Sequence, residues 1–204
     1  MSNLGYVVNF VMTVIMIVGG YQFYFLVQRR HLRNPIEFAY TLDDLIPFQP
    51  GWVWIYSGLY YPIIILLVFT IPSFAKFNYT AFSFITLLIM QLVVFFLFPV
   101  KIPKHWRNYD PKKSLSTRFL AFVHSYDGLP NSIPSMHVSV STLTALHLYQ
   151  NLMPEYGCVA QLAFLFPLLI SASALFTKQH YVVDIIPGVL FGYVNFEIYR
   201  LYVS

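Results

Sequence analysis

Three side chains in this sequence have the types and spacing of a reactive centre: His137, His180 and Asp184. His180 and Asp184 are four residues apart, so a helical turn over 179–186 would set them on one face, the carboxylate accepting a proton from one imidazole nitrogen. The other nitrogen then keeps a fixed lone pair. A histidine that attacks phosphorus needs that arrangement, because the carboxylate selects the tautomer and stabilises the cation formed on attack. His137 follows Asn131-Ser132-Ile133-Pro134-Ser135-Met136, which reads as a helix start with Ser132 as the cap and Pro134 as the first helical residue. Free N–H groups at such an end suit a phosphate, the Ser135 hydroxyl adds a donor, and His137 as imidazolium can protonate a departing alkoxide. Lys178, Lys101, Lys104 and Arg107 are the cations expected on the non-bridging oxygens.

Other chemistries use the same residue types. Two histidines and an aspartate could hold zinc, although no His-Glu-x-x-His pattern or cysteine pair accompanies them. The trio could also form a proton path in a transporter, since a charged group near hydrocarbon is costly unless it is paired or functional. His147, ten residues beyond His137, falls on another face of the same helix and reads as structural. His31, His105 and His124 fall in connections and read as solvated or as head-group contacts. Glu197 and Arg200, three apart, read as a local pair.

The elements that must position these groups follow from composition. The chain of 204 residues is 58% hydrophobic and only 10% charged, far below the charged share of a soluble domain, so lipid is the solvent for much of its surface. Its 20 Phe, 16 Tyr and 3 Trp suit aromatic belts at two interfaces. The lone Cys158 excludes an intrachain disulfide and, lying in an apolar run, reads as a packing residue. The first apolar run is too long for a signal-peptide core and is expected to remain as a span.

A crossing helix takes about 20 mostly apolar residues. Six runs qualify: 6–27, 52–71, 79–100, 134–152, 158–176 and 185–203. Pro72, Pro99, Pro103, Pro130 and Pro154 punctuate their ends. Leu115, Phe119, Phe122 and Val123 recur at helical spacing in the third connection, as Ile36, Ala39 and Leu42 do more weakly in the first, predicting short interfacial helices. With six spans, ten of the twelve Lys and Arg share one side with His137, His180 and Asp184. The positive-inside rule would place that side in the cytoplasm, but a phosphate site would also collect cations wherever it faces.

Pro134-Ser135-Met136-His137 resembles the Pro-Ser-x-His second motif of the type 2 phosphatidic acid phosphatase superfamily. His180-Tyr181-Val182-Val183-Asp184 resembles its third motif, His-x-x-x-Asp. Leu42-Asp43-Asp44-Leu45-Ile46-Pro47-Phe48, followed by Trp52-Val53-Trp54-Ile55-Tyr56, looks like the stretch before the second span in the sphingolipid-synthase-like branch. The resemblance implies a six-helix bundle, His180 as the phosphorylated nucleophile, Asp184 as its partner and His137 as the leaving-group acid, with no metal or other cofactor. Two departures stand out. Ser173-Ala174 occupy the place of the family's Ser-Arg before the third-motif histidine, and Lys104-His105 stand where the first motif has Arg-Pro.

The sequence therefore predicts an all-α integral membrane protein. It is expected to be one catalytic domain over 1–204, six transmembrane helices with interfacial helices in the first and third connections. The expected activity is metal-independent hydrolysis of a lipid phosphate ester through a phosphohistidine. The open alternatives are transfer of a phospho-head group to an alcohol such as ceramide, diacylglycerol or inositol and, more remotely, proton-coupled transport. A lipid phosphate or phospholipid and the bilayer are the expected partners, nucleic acid is not, and a cell membrane is the expected location.

Overall fold

Inside hydrocarbon a backbone must satisfy its own hydrogen bonds, and the long apolar runs do so as helices. The computed structural model describes residues 2–30, 32–38 and 41–203. In chain order these form α1 (Asn3–Gln28), β1 (Ile36–Glu37), α2 (Thr41–Leu45), α3 (Tyr60–Thr70), α4 (Phe74–Leu97), β2 (Val100–Lys101), α5 (Leu115–Tyr126), α6 (Met136–Tyr156), α7 (Leu165–Phe176) and α8 (Val182–Val203). A 3-10 turn, Pro50–Trp52, and a π-helical turn, Trp54–Leu59, lead into α3, and a 3-10 stretch, Gly157–Phe164, joins α6 to α7.

Five helical stretches among the described residues are long and apolar enough to cross a membrane: Asn3–Gln28, Pro50–Thr70, Phe74–Leu97, Met136–Phe176 and Val182–Val203. The fourth, of 41 residues, is not straight. Gly157 has φ 53°, in the region that favours glycine, and there the chain turns back. Phe166 and Ile170 of α7 then pack on Val138 near the start of α6, while Ala163 packs near Leu148 toward its end.

Several boundaries differ from the sequence expectation. The third span starts at Phe74 because the Ser73 hydroxyl accepts from Lys76 N–H, and it stops at Leu97 before Pro99. The helix expected in the third connection is present as α5, capped by a reciprocal Ser114–Thr117 pair. The first connection is not the helix predicted through Ile36: that residue pairs with Val100 in a parallel two-residue ladder, and among the described residues of the connection the α-helical stretch is Thr41–Leu45. Ala39 and His31 lie outside the described residues. Cys158 is exposed rather than packed.

The pairing that positions the site is α6 against α8. A Cβ on Gly188 would lie 2.9 Å from the Ser135 carbonyl oxygen, and one on Gly192 would lie 2.5 Å from that of Ser139. Glycines four residues apart therefore let α8 lie directly against the α6 backbone. Around this seam the Ser139, Ser141, Thr142 and Thr144 hydroxyls bond carbonyls of their own helix. His147 is fully buried, its Nε2 2.9 Å from the Ser83 hydroxyl and its ring set among Phe84, Phe196 and Tyr199, which makes it structural. Glu197 and Arg200 form the expected local pair, at 3.1 Å.

Candidate functional site

His180 precedes α8 rather than riding on it. The C-terminus of α7 closes with Gln179 N–H donating to the Ala174 carbonyl and Lys178 N–H to the Leu175 carbonyl, with Lys178 at φ 56°. This is a Schellman arrangement with a lysine in the left-handed position that glycine usually fills. It reverses the chain and delivers Gln179 and His180 ahead of the α8 N-terminus.

The predicted helix over 179–186 begins only at Val182, yet His180 and Asp184 still meet. Asp184 lies in the first turn of α8, and its Oδ2 reaches back to the Tyr181 N–H at 2.9 Å and to His180 Nδ1 at 3.2 Å. His180 Nδ1 is also 2.9 Å from the Ser132 carbonyl oxygen. A carbonyl can only accept, as can the ionised carboxylate, so Nδ1 must carry the proton and Nε2 the lone pair. Two acceptors, not one, set this tautomer.

His137 is the second residue of α6. The N-cap is Ser135, whose hydroxyl accepts from Val138 N–H at 3.4 Å, rather than the expected Ser132, and the helix begins after Pro134. His137 Nδ1 is 2.9 Å from the Tyr56 hydroxyl, and the Tyr56 and Tyr60 rings lie against the imidazole with centroids at 4.2 and 4.6 Å. Tyr56 projects from the π-helical turn, a local unwinding that recurs at functional sites.

His137 and His180 line one cavity of about 560 Å³ that runs between α1, α3 and α4, and its wall is mostly apolar. Asp184, fully buried, stands behind His180. The trio named from sequence is thus brought together.

The expected anion-binding residues are placed differently. None of Ser135, Lys101, Lys104, Arg107 and Lys178 is part of the cavity wall. Ser135 caps α6, Lys101 pairs with Glu37 at 3.5 Å, and Lys104 is exposed. Lys178 donates to the Asp43 carbonyl and lies 5.0 Å from the Trp106 ring centroid. Burial pushes its ammonium down from the ordinary value, against the pull of Asp43 and Asp44. Arg107 donates to the carbonyls of Asp127 at 2.7 Å and Gly128 at 3.1 Å. His124 lies within α5 rather than in a loop, half-buried, with Nδ1 2.9 Å from the Tyr109 hydroxyl. His105 is exposed.

Sequence reasoning gave no site role to Asp43, whose Oδ1 accepts from Val182 N–H at 2.7 Å and so caps α8 from across the fold. It also missed Gln91, which donates to the Ser139 hydroxyl at 2.6 Å from the cavity wall, and the buried Asn131 and Gln179. The glycine pair at 188 and 192 was a signal available in the sequence. Among the described residues no three His, Cys, Asp or Glu side chains converge as a metal site.

The sequence pattern of the PAP2 superfamily matches residues 39–198, most of the chain. An uncharacterized protein of Methanocaldococcus jannaschii is 37% identical over 65 residues, 32% of this chain and 25% of that protein, so the matched stretch spans about a quarter of that relative. No solved structure matches.

Proposed function

The chain belongs to the PAP2 superfamily, and from that premise we propose that it is a membrane-embedded lipid phosphatase working through a phosphohistidine at His180. One observation carries this reading: His180 Nδ1 is held between the Ser132 carbonyl and Asp184, leaving Nε2 as a lone pair on a ring that lines the same cavity as His137. The Nε2 lone pair attacks phosphorus and the ester P–O bond breaks. The departing alkoxide takes the proton of the His137 imidazolium, whose other nitrogen is held by Tyr56. Water then attacks the phosphohistidine, the P–N bond breaks, and His137 accepts the proton released. Asp184 stabilises the charge on His180 in both steps.

The apolar wall of the cavity supports a lipid substrate, with acyl chains between α1, α3 and α4 and the phosphate at the histidines. On this reading Met136–Phe176 crosses the bilayer twice, once on each side of Gly157, so the single domain has six spans with the site at one face. The stretch from Leu42 to Phe48 supports a place near the sphingolipid-synthase-like branch. Transfer to an alcohol differs from hydrolysis only in what attacks the phosphohistidine.

The test is a thin-layer screen of radiolabelled lipid phosphates and phospholipids, with and without diacylglycerol or ceramide, on detergent-purified wild type and His180→Ala without added metal. Released phosphate in the wild type and no product in the variant is the expected result. Undiminished turnover in His180→Ala overturns the mechanism, and products that appear only with an added alcohol replace hydrolysis by transfer.

A further inference from the structure

The family's arginine before the third motif is absent, and none of the cations expected in its place, Lys101, Lys104, Arg107 and Lys178, stands on the cavity wall, so the donors for the phosphoryl oxygens are other groups. Besides Thr80 and Gln91, three polar side chains on the wall are buried and have side-chain atoms without a hydrogen-bond partner: Asn131, Ser132 and Gln179, exposed by only 4%, 3% and 4%. A buried amide left unpaired costs free energy unless something else completes it.

Their positions centre on His180. Gln179 immediately precedes it, Ser132 supplies the carbonyl that holds its Nδ1, and Asn131 precedes Ser132 at φ 75°, a conformation Asn tolerates better than most residues. The Gln179 amide is also oriented. Arg107 NH2 lies 3.5 Å from Gln179 Oε1, and a guanidinium can only donate, so the oxygen faces Arg107 and the unpartnered Nε2 is a donor left for a ligand. The Asn131 amide is bonded at neither end and can present its NH2 group by rotation, and the Ser132 hydroxyl is free to do the same.

We propose that Gln179, Asn131 and Ser132 form a clamp of neutral donors for the non-bridging oxygens of the phosphoryl group, with Arg107 a positioning residue that acts through Gln179. This rests on the phosphohistidine reading for its substrate but can be tested by binding alone. A hydrogen bond from a neutral donor to an anion is worth roughly a tenfold or larger change in affinity.

The experiment is titration of the full-length protein in detergent with orthovanadate, alongside thermal melting. Gln179→Glu keeps the shape, turns a donor into an acceptor and offers Arg107 a carboxylate. The expected result is at least a tenfold loss of vanadate affinity with an unchanged or raised Tm. Asn131→Ala, which needs no new partner, is expected to lose affinity as well and carries the test if the first variant does not fold. In a Gln179→Leu background, Arg107→Lys is expected to cause no further loss, as required if Arg107 works through that amide. Wild-type vanadate affinity in either Gln179→Glu or Asn131→Ala overturns the clamp, as does absence of vanadate binding by the wild type. Undiminished turnover in His180→Ala instead sinks the phosphohistidine reading and leaves these binding results to be judged by themselves.

Discussion

Gly192 of α8 lies so close to Ser139 of α6 that a Cβ on it would stand 2.5 Å from the Ser139 carbonyl oxygen and 2.7 Å from the Thr142 Cβ. This contact is made of backbone and cannot yield by a rotamer change. Gly192→Ala is therefore expected to push α8 off α6, costing roughly 1–3 kcal/mol in overpacking and lowering both Tm and turnover. Gly19→Ala is the control, because its Cβ would meet nothing within 4 Å. Equal melting of the two variants would show that the seam is not tight.

The Tyr56 hydroxyl is 2.9 Å from His137 Nδ1, and its ring is stacked on the imidazole. Tyr56→Phe keeps the stacking and removes the hydrogen bond. Turnover is expected to fall about three- to tenfold, the scale of one neutral hydrogen bond, with little change in Tm. Steady-state kinetics beside a melting curve checks this, and a variant as fast as wild type would remove Tyr56 from the mechanism.

Asp43 caps α8 from the first connection. Burial pushes its carboxyl up from the usual carboxylate range, while the Val182 N–H opposes that rise. Asp43→Ala is expected to cost about 1 kcal/mol, the scale of a lost N-cap, and to slow turnover because Asp184 lies in the same first turn. Asp43→Asn can still accept from Val182 N–H and is expected to retain most of the stability. If the alanine variant melts and turns over like wild type, the cap does not hold the site.

His124 gives the acid limb of stability. Burial first, and then the Arg107 charge, push its imidazole from 6.5 down to about 3. Between those values the unfolded chain binds a proton that the folded chain refuses, so this contribution is complete above about pH 6.5 and is lost as pH falls toward 3. His124→Gln is expected to flatten the decline of Tm between pH 7 and pH 4 relative to wild type. An unchanged decline would assign acid lability to other groups.

The membrane class, the helical runs and the two motifs that carry His137, His180 and Asp184 were legible in the sequence because each rests on local information. Hydropathy over about 20 residues marks a crossing, and two short motifs at span starts place His137 and His180 at the same end of a bundle. The glycines at 188 and 192 were equally local, and they specify which helix faces pack.

What only the tertiary structure decided depends on backbone groups that carry no residue identity. The Ser132 carbonyl that shares His180 Nδ1 could have come from any residue there, and the cap moved from Ser132 to Ser135 because the chain enters α6 after Pro134. Ile36 left its predicted helix for the Val100 backbone, a partner 64 positions away. The cations show the same limit. A lysine's charge is visible in a sequence, but its partner is not, and folding assigned Lys101 to Glu37, Lys178 to the Asp43 carbonyl and Arg107 to a row of carbonyls, leaving buried amides on the cavity wall.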